Sequence, residues 1–381
     1  MPDRDTGPAP RVCHLTSAHR RSDMRIFHKM CVSLARRGFE VTLIVADGEG
    51  PGARDGVTIR DVGKAAGRLS RITRTPDRIL RAALEECADL YHLHDPELLP
   101  IGLRLARRGK RVIFDSHEDV PSQILHKPYL PPWSARLLSR GFARFEDFAC
   151  RRLDGVVAAT PFIRDKFQRV TPRVVDISNY PLRDEFASSV PWKARRAEVC
   201  YIGDISEIRG IHELCAAMAR TATGVRLNLC GAFTDSATER RARTGPGWER
   251  VDAHGMVDRA GVRRVLDRSV AGLVTLHPVP NYLPSQPIKL FEYMSAGIPV
   301  IASDFPLWRS IVEESRCGIL VDPLDSGAIA AAIDHLVSTP EEAERMGRNG
   351  RAAVETRYNW EREEVRLEAF YRERLAADAS R

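Results

Sequence analysis

The chain has 381 residues, 43% hydrophobic and 29% charged, with a formal net charge of +7. That is length enough for two domains with cores of their own, at an ordinary balance for a globular protein. No apolar run reaches the ~18–20 residues of a bilayer span. The eight cysteines stand singly, without the CxxC pairs of zinc or dithiol chemistry.

The first ten residues, MPDRDTGPAP, are polar and proline-rich and lack the apolar core of a secretion signal. A short disordered leader (1–10) and a cytoplasmic protein are expected. Apolar strand-like runs then alternate with helical periodicity, the pattern of a parallel α/β fold. Strands are expected at RVCHLT (11–16), VTLIVA (41–46), VTIRDV (57–62), LYHLH (90–94), RVIFDS (111–116), GVVAAT (155–160) and VVDIS (174–178). A helix is expected from Ile26 to Arg37, stopped by Gly38.

The loop after the first strand runs Ser17, Ala18, His19, Arg20, Arg21. It has no glycine, so it is not the GxGxxG dinucleotide fingerprint. Asp23 and Arg25 are expected to brace it as an ion pair. FDSHEDVP sets His117 at a strand end beside Glu118 and Asp119, and HLHDPELLP sets His92, His94 and Asp95 at another.

Two stretches are basic and amphipathic. Leu69, Ile72, Ile79 and Leu80 lie among Arg68, Arg71, Arg74, Arg78 and Arg81, with Pro76 breaking or starting the helix. Trp133, Leu137 and Leu138 lie among Arg136, Arg140, Arg144, Arg151 and Arg152. Such stretches lie on anionic membranes or are simply solvated helix faces, and both readings stand. No aromatic-rich basic platform for nucleic acid is present.

The second half starts a new strand series: EVCYIG (198–203), RLNLCG (226–231), RVDAHG (250–255), AGLVTL (271–276), PVIAS (299–303) and GILVD (318–322). Two series imply two Rossmann-like domains, 11–190 and 191–357, divided within the turn-rich, basic stretch 179–196. From Pro340 the pattern is helical, interrupted at Tyr358 to Trp360, which leaves a last helix in 358–381.

The segment SQPIKLFEYMSAGIPVIASD (285–304) concentrates the chemistry. Ser285 reads as an N-cap, Pro287 falls in the first turn, Gly297 ends the helix, and PVIAS reads as a strand buried on both faces. Lys289 and Glu292 share one face of that helix. A lysine at a helix N-terminus opposes the helix dipole, and a phosphate bound there offsets the cost. Glu292, one turn further in, suits vicinal hydroxyls such as those of a ribose. The spacing alone also fits a solvated surface pair.

This segment resembles the nucleotide-sugar signature of GT-B glycosyltransferases, specifically glycosyltransferase family 4. The resemblance covers nearly the whole chain and is strongest from Glu198 onward. It implies an α/β fold of two Rossmann-like, doubly wound domains facing across a cleft, with the C-terminal helix crossing back to the first. It also implies retaining, metal-independent transfer of a sugar from a nucleotide-diphosphate sugar to a hydroxyl acceptor. YIGDISEIRGI resembles the family's diphosphate-binding element. Gly203 and Gly210 match its glycines and Arg209 its second basic residue, while Asp204 replaces the first. Pro284 replaces the first Glu of the E-x7-E pattern.

On this resemblance His117, Arg209 and Lys289 carry the catalysis. Glu292, Ser285, Gln286, Ile288, Gly203 and Ser17 bind the donor, with the main chain of Gly255 and Met256 near the base. No DxD motif is present, so no metal and no cofactor are expected beyond the donor, a UDP-sugar first and a GDP-sugar second. Three settings remain open: surface polysaccharide or glycoconjugate synthesis with a lipid-linked acceptor at the inner face of an anionic membrane, a small-molecule acceptor, or a degenerate sugar-nucleotide binder. An epimerase on the same fold requires cleft carboxylates that no spacing here picks out.

Overall fold

The computed structural model describes residues 8–125 and 130–376, so most of the expected leader, residues 1–7, lies outside the described residues. The chain divides into two units, one of residues up to Asn179 together with those from Arg362 on, the other Tyr180–Glu361. The sequence expectation had set the division at 190/191.

The first unit is built on eight strands among the described residues: β1 (Arg11–Leu15), β2 (Glu40–Val45), β3 (Gly52–Arg54), β4 (Val57–Asp61), β5 (Leu90–Leu93), β6 (Arg111–Ser116), β7 (Gly155–Ala158) and β8 (Val174–Asp176). Their order is β3-β4-β2-β1-β5-β6-β7-β8. All pairings are parallel except β3 with β4. That hairpin turns at Asp55 (φ 51°) and Gly56 (φ 80°), both left-handed as a tight two-residue turn requires. The sequence reading had not anticipated β3, a three-residue exposed strand with no apolar signal.

The central strands are apolar and buried on both faces, because helices cover the sheet on either side. The chain leaves β1 in one direction and resumes at β5 in the other. The carboxyl ends of these two strands therefore flank the switch point where doubly wound sheets collect ligands. The helix expected from Ile26 to Arg37 begins earlier, as a π-helical stretch Met24–Cys31, and continues as an α-helix Val32–Arg36.

The last helix, Trp360–Ala376, belongs to the first unit from Arg362 on. Glu363 accepts the Ser178 N–H at 2.9 Å, Arg366 pairs with Asp176 at 2.7 Å, and Arg37 pairs with Glu364 at 2.8 Å. Leu367 and Tyr371 are fully buried.

The second unit has six strands among the described residues: β9 (Glu198–Ile202), β10 (Arg226–Cys230), β11 (Val251–Gly255), β12 (Ala271–Val274), β13 (Val300–Ser303) and β14 (Gly318–Val321). Their order, β11-β10-β9-β12-β13-β14, is the Rossmann order 3-2-1-4-5-6 with its switch point between β9 and β12. One core face holds Phe291, Tyr293 and Trp308, and the other holds Tyr201, Leu229 and Ile333. Burying an aromatic the size of Trp308 contributes about 3–5 kcal/mol, judged by what its removal costs in other cores.

Candidate functional site

In the second unit the loop after β9 and the helix Ile288–Ser295 bring three sequence-expected residues together. A Cβ built on Gly203 falls 3.3 Å from Lys289 Nζ and 3.9 Å from Arg209 Nη1. Gly203 has φ 126°, open only to glycine, and its bare backbone lets both cations close on the turn. Gly210 has φ 82°, and a Cβ there would lie 2.2 Å from the Thr275 carbonyl oxygen, so the turn that presents Arg209 is also closely packed.

Lys289 is a buried cation, not part of a solvated surface pair. Its Nζ has no hydrogen-bond partner among the described residues and sits 3.6 Å from the centre of the Tyr201 ring. Burial, then the charge of Arg209, push its pKa down to about 7, against weaker opposing pulls from Glu292 and Asp204. Arg209 is held above its usual value although burial opposes it, through Tyr282, Tyr201 and Asp204. Asp204, which stands in place of a basic residue, lies 3.5 Å from Arg209 Nη2 and steadies that guanidinium.

Glu292 is also buried, and its Oε1 accepts from Arg259 Nη1 at 2.9 Å. Arg259 pairs in turn with Glu185 and lies 4.5 Å from the centre of the Phe186 ring. Oε2 of Glu292 makes no hydrogen bond to the described residues, which leaves it as an acceptor for hydroxyls.

Ser285 is not the N-cap. Pro287 takes that position, and the Ser285 hydroxyl donates to the Tyr282 carbonyl at 2.9 Å. The turn over 282–285 satisfies the hydroxyl before the helix begins, and Trp308 Nε1 holds the Ser285 carbonyl at 2.7 Å. Gln286 and the partly exposed Ile288 stand at the helix entrance, where the first N–H groups have no intrahelical partner. Gly255 (φ 65°) closes β11 with open space around it, and Met256 is exposed.

In the first unit, Asp95 organises the loop after β1. Its Oδ2 accepts from Thr16 Oγ1 at 2.8 Å and from the Ser17 N–H at 2.6 Å. The Ser17 hydroxyl is engaged by Asp95 and by Glu97 at 3.1 Å. The expected Asp23–Arg25 pair does not form. Asp23 instead caps the next helix, accepting from the Arg25 and Ile26 N–H groups, and pairs with His19 at 3.1 Å. Burial would lower the His19 pKa, but the bond to Asp23 and the charges of Asp95 and Asp115 raise it. Arg25 reaches across the sheet and binds Asp115 with two nitrogens, at 2.8 and 3.0 Å.

His117, at the carboxyl end of β6, directs Nε2 to Asp115 Oδ2 at 2.7 Å, and its ring lies 5.4 Å from that of His19. Asp119 is taken up by Lys166 at 2.7 Å and by Ser122, and Glu118 by Gln123. Ser17 also lines a concavity of about 530 Å³ with Ala46, Lys64, Ala65, Gly67 and Arg71.

Two groups have ligand types and spacing suited to a metal ion, His14–His92–His94 and His94–Asp115–His117. In both, facing groups are already joined by hydrogen bonds, and Arg25 neutralises Asp115. Sequence reasoning missed Asp115, Arg259, Tyr201 and Tyr371. The one available signal was a charged or polar residue inside a strand or helix that otherwise reads as core.

The two doubly wound units define the GT-B architecture. Residues 25–181 match the glycosyl transferase 4-like domain, and residues 196–339 match the glycosyl transferases group 1 domain. The chain belongs to the GT-B glycosyltransferases of this group. It is 27% identical to the alpha-maltose-1-phosphate synthase of Mycolicibacterium smegmatis over 267 residues, 61% of this chain and 67% of that protein. With the glycogen synthase of Mycobacterium tuberculosis it shares 24% identity over 60% of this chain and 56% of the relative's length.

Among solved structures, sucrose-phosphate synthase of Thermosynechococcus elongatus superposes with a TM-score of 0.77 at 19% identity, covering 97% of this chain and 100% of that one. Anabaena HepE in complex with UDP-glucose gives a TM-score of 0.74 at 15% identity, covering 95% and 99%. At these identities the superpositions establish the fold. No helix among the described residues is long and apolar enough to cross a membrane.

Proposed function

We propose that this protein transfers a hexosyl or N-acetylhexosaminyl group from a nucleotide-diphosphate sugar to a hydroxyl acceptor, with retention and without a metal ion. The observation that carries this reading is the buried, unpartnered ammonium of Lys289 beside Arg209 on the Gly203 turn. Two cations whose neighbouring carboxylates, Asp204 and Glu292, are already paired with Arg209 and Arg259 make a hole for a polyanion. A diphosphate there acquires charge as the glycosidic bond breaks, so pre-placed cations stabilise the transition state more than the ground state. Each charge-assisted bond contributes about 1.5–3 kcal/mol.

Glu292 takes the ribose hydroxyls through Oε2, Gly255 and Met256 border the base, and His117 serves the transferred sugar. In a retaining reaction of this kind the leaving diphosphate itself takes the acceptor proton, which dispenses with a carboxylate nucleophile. A UDP-sugar is the first choice of donor, consistent with the UDP-glucose complex of HepE. The acceptor belongs to surface polysaccharide or glycoconjugate synthesis, and contact with the cytoplasmic face of an anionic membrane is favoured by the exposed Trp133, Leu137 and Leu138.

A thermal-shift screen of UDP, GDP and ADP with their sugars tests the reading, since a ligand of the folded state raises the melting temperature with its affinity. No shift with any nucleoside diphosphate overturns it. The Asp204–Arg209 pair motivates a second reading, a sugar-nucleotide binder without catalysis. Binding without turnover across a panel of hydroxyl acceptors would favour that alternative.

A further inference from the structure

Behind His117 the first unit contains a continuous line of buried polar groups that the proposed chemistry does not use. His94 Nδ1 lies 3.2 Å from Asp115 Oδ2, and His94 Nε2 lies 2.8 Å from His14 Nδ1. His14 Nε2 lies 3.3 Å from the Tyr371 hydroxyl, which is 2.6 Å from His92 Nδ1. His14, His92 and Tyr371 have no exposed surface, and His94 and Asp115 almost none.

The chemistry of the groups permits one arrangement of protons. Burial alone would raise the Asp115 pKa, but Arg25, then His117, then the bonds from His117 and His94 hold it well below the usual carboxylate range. The carboxylate is therefore an acceptor only, and both His94 Nδ1 and His117 Nε2 donate to it. Burial lowers the pKa of His94, His14 and His92, so each ring carries a single proton. His94 Nε2 is then bare and accepts from His14 Nδ1–H. His14 Nε2 is bare in turn and accepts from the Tyr371 hydroxyl, whose oxygen accepts from His92 Nδ1–H. This leaves His92 Nε2 as a bare lone pair, and that atom is buried without a partner. The opposite polarity would strand a buried N–H there, the more costly orphan.

We propose that Asp115 is the positioning residue of His117, fixing its ring as the Nε2–H tautomer with a bare Nδ1, and that the line from His92 through Tyr371, His14 and His94 holds that carboxylate in place. Arg25 binds both carboxylate oxygens and His94 shares Oδ2 with His117, so the carboxylate that His117 meets is fixed in place. Tyr371 lies on the last helix, which makes the packing of that helix part of the alignment of His117. The catalytic consequence rests on the role proposed for His117; the tautomer does not.

The test uses the full chain as Asp115→Asn, His117→Gln, the double variant, and Tyr371→Phe. Ring ¹⁵N spectra are recorded for each, with the His117 signals identified by their loss in His117→Gln. Turnover is read as nucleoside diphosphate released from whichever donor a panel of UDP-, GDP- and ADP-sugars selects. In the parent protein His117 is expected as the Nε2–H tautomer. In Asp115→Asn the charge-assisted bond to Nε2 is lost, and the His117 ring signals move toward a mixture of the two tautomers.

Asp115→Asn and His117→Gln are expected to lose kcat alike, about 100-fold or more, with the donor KM changing less than threefold. The double variant loses no more than either single one, because both changes act through one ring. Tyr371→Phe removes one hydroxyl from a packed site, moves the His14 and His117 signals, and lowers kcat several-fold. It carries the test if Asp115→Asn does not fold.

An unchanged His117 spectrum in Asp115→Asn overturns the proposal, as does a double variant whose loss is the product of the single losses. In Tyr371→Phe, unchanged spectra and turnover overturn it. Full turnover in His117→Gln instead overturns the role of His117 in transfer, while the ring spectra still decide the role of Asp115.

Discussion

Lys289 Nζ rests 3.6 Å from the centre of the Tyr201 ring, inside the second unit, with no acceptor for its three protons among the described residues. A buried ammonium without a counterion costs stability unless it neutralises or a ligand supplies the charge. The carboxylates that act on it, Glu292 and Asp204, are committed to Arg259 and Arg209. The ammonium is therefore costly as it stands, and the proposed diphosphate would supply the missing charge.

The first prediction is a proton linkage. The pKa of Lys289 is pushed down to about 7, so near pH 8 its side chain is mostly neutral in the empty site. A diphosphate favours the charged form, and nucleotide binding is expected to take up close to one proton at that pH. Calorimetric titration with UDP in buffers of different ionisation enthalpy measures this uptake. Affinity should fall as pH rises above 7, by up to about tenfold per unit. Lys289→Met should abolish the uptake, and transfer should drop by about 10²–10³ while the fold is kept.

The second concerns stability without ligand. The folded pKa of Lys289 lies below its unfolded value, so between about 7 and 10.5 the unfolded chain binds more protons at this group than the folded one. The contribution of Lys289 to stability therefore rises with pH through that window and is most unfavourable below it. Lys289→Met should raise the melting temperature of the empty protein more at pH 6 than at pH 10. An equal shift at both values would show that the ammonium is not desolvated.

Glu292 and Arg259 give a third prediction. Glu292→Ala removes the proposed hydroxyl acceptor but leaves Arg259 paired with Glu185, so the fold should hold while transfer falls by orders of magnitude. Arg259→Ala leaves Glu292 buried without its cation. It should weaken donor binding and also lower the melting temperature. Kinetics and thermal melts on the two variants separate these effects.

A fourth addresses the exposed apolar band on the helix Pro132–Cys150, where Trp133 is 71% and Leu137 66% exposed beside Arg136 and Arg140. Cosedimentation with phosphatidylglycerol vesicles should exceed that with phosphatidylcholine vesicles and weaken with salt. Trp133→Ser with Leu137→Ser should reduce it while changing stability by less than about 0.5 kcal/mol. Equal sedimentation with both vesicle types would argue for a merely solvated face.

A fifth tests the turn that carries Arg209. Gly210→Ala places a Cβ against the Thr275 carbonyl in a left-handed backbone and should destabilise the second unit by at least about 1–3 kcal/mol. A denaturant midpoint equal to that of the parent would contradict the packing described.

Much of this was open to sequence reasoning, and the misses have a common cause. The apolar runs marked the strands of both sheets except β3, which is short and exposed. Ser285 had the chemistry of an N-cap, yet the preceding turn claimed its hydroxyl. Asp23 and Arg25 looked like a local pair because charge and proximity were all the sequence offered. The partner of Arg25 lies 90 positions away, and Tyr371 meets His92 across 279 positions.

The sequence by itself determined every described strand but β3, where the helix bearing Lys289 and Glu292 falls, and that the loop after the first strand is no dinucleotide turn. Those features depend on neighbours within a few residues, through periodicity and turn chemistry. The tertiary structure decided that Lys289 is buried and unpartnered, that Glu292 shares an oxygen with Arg259, and that Asp115 holds His117. Burial and charge pairing depend on groups far apart in the chain, which parallel strand order alone brings to one end of each sheet.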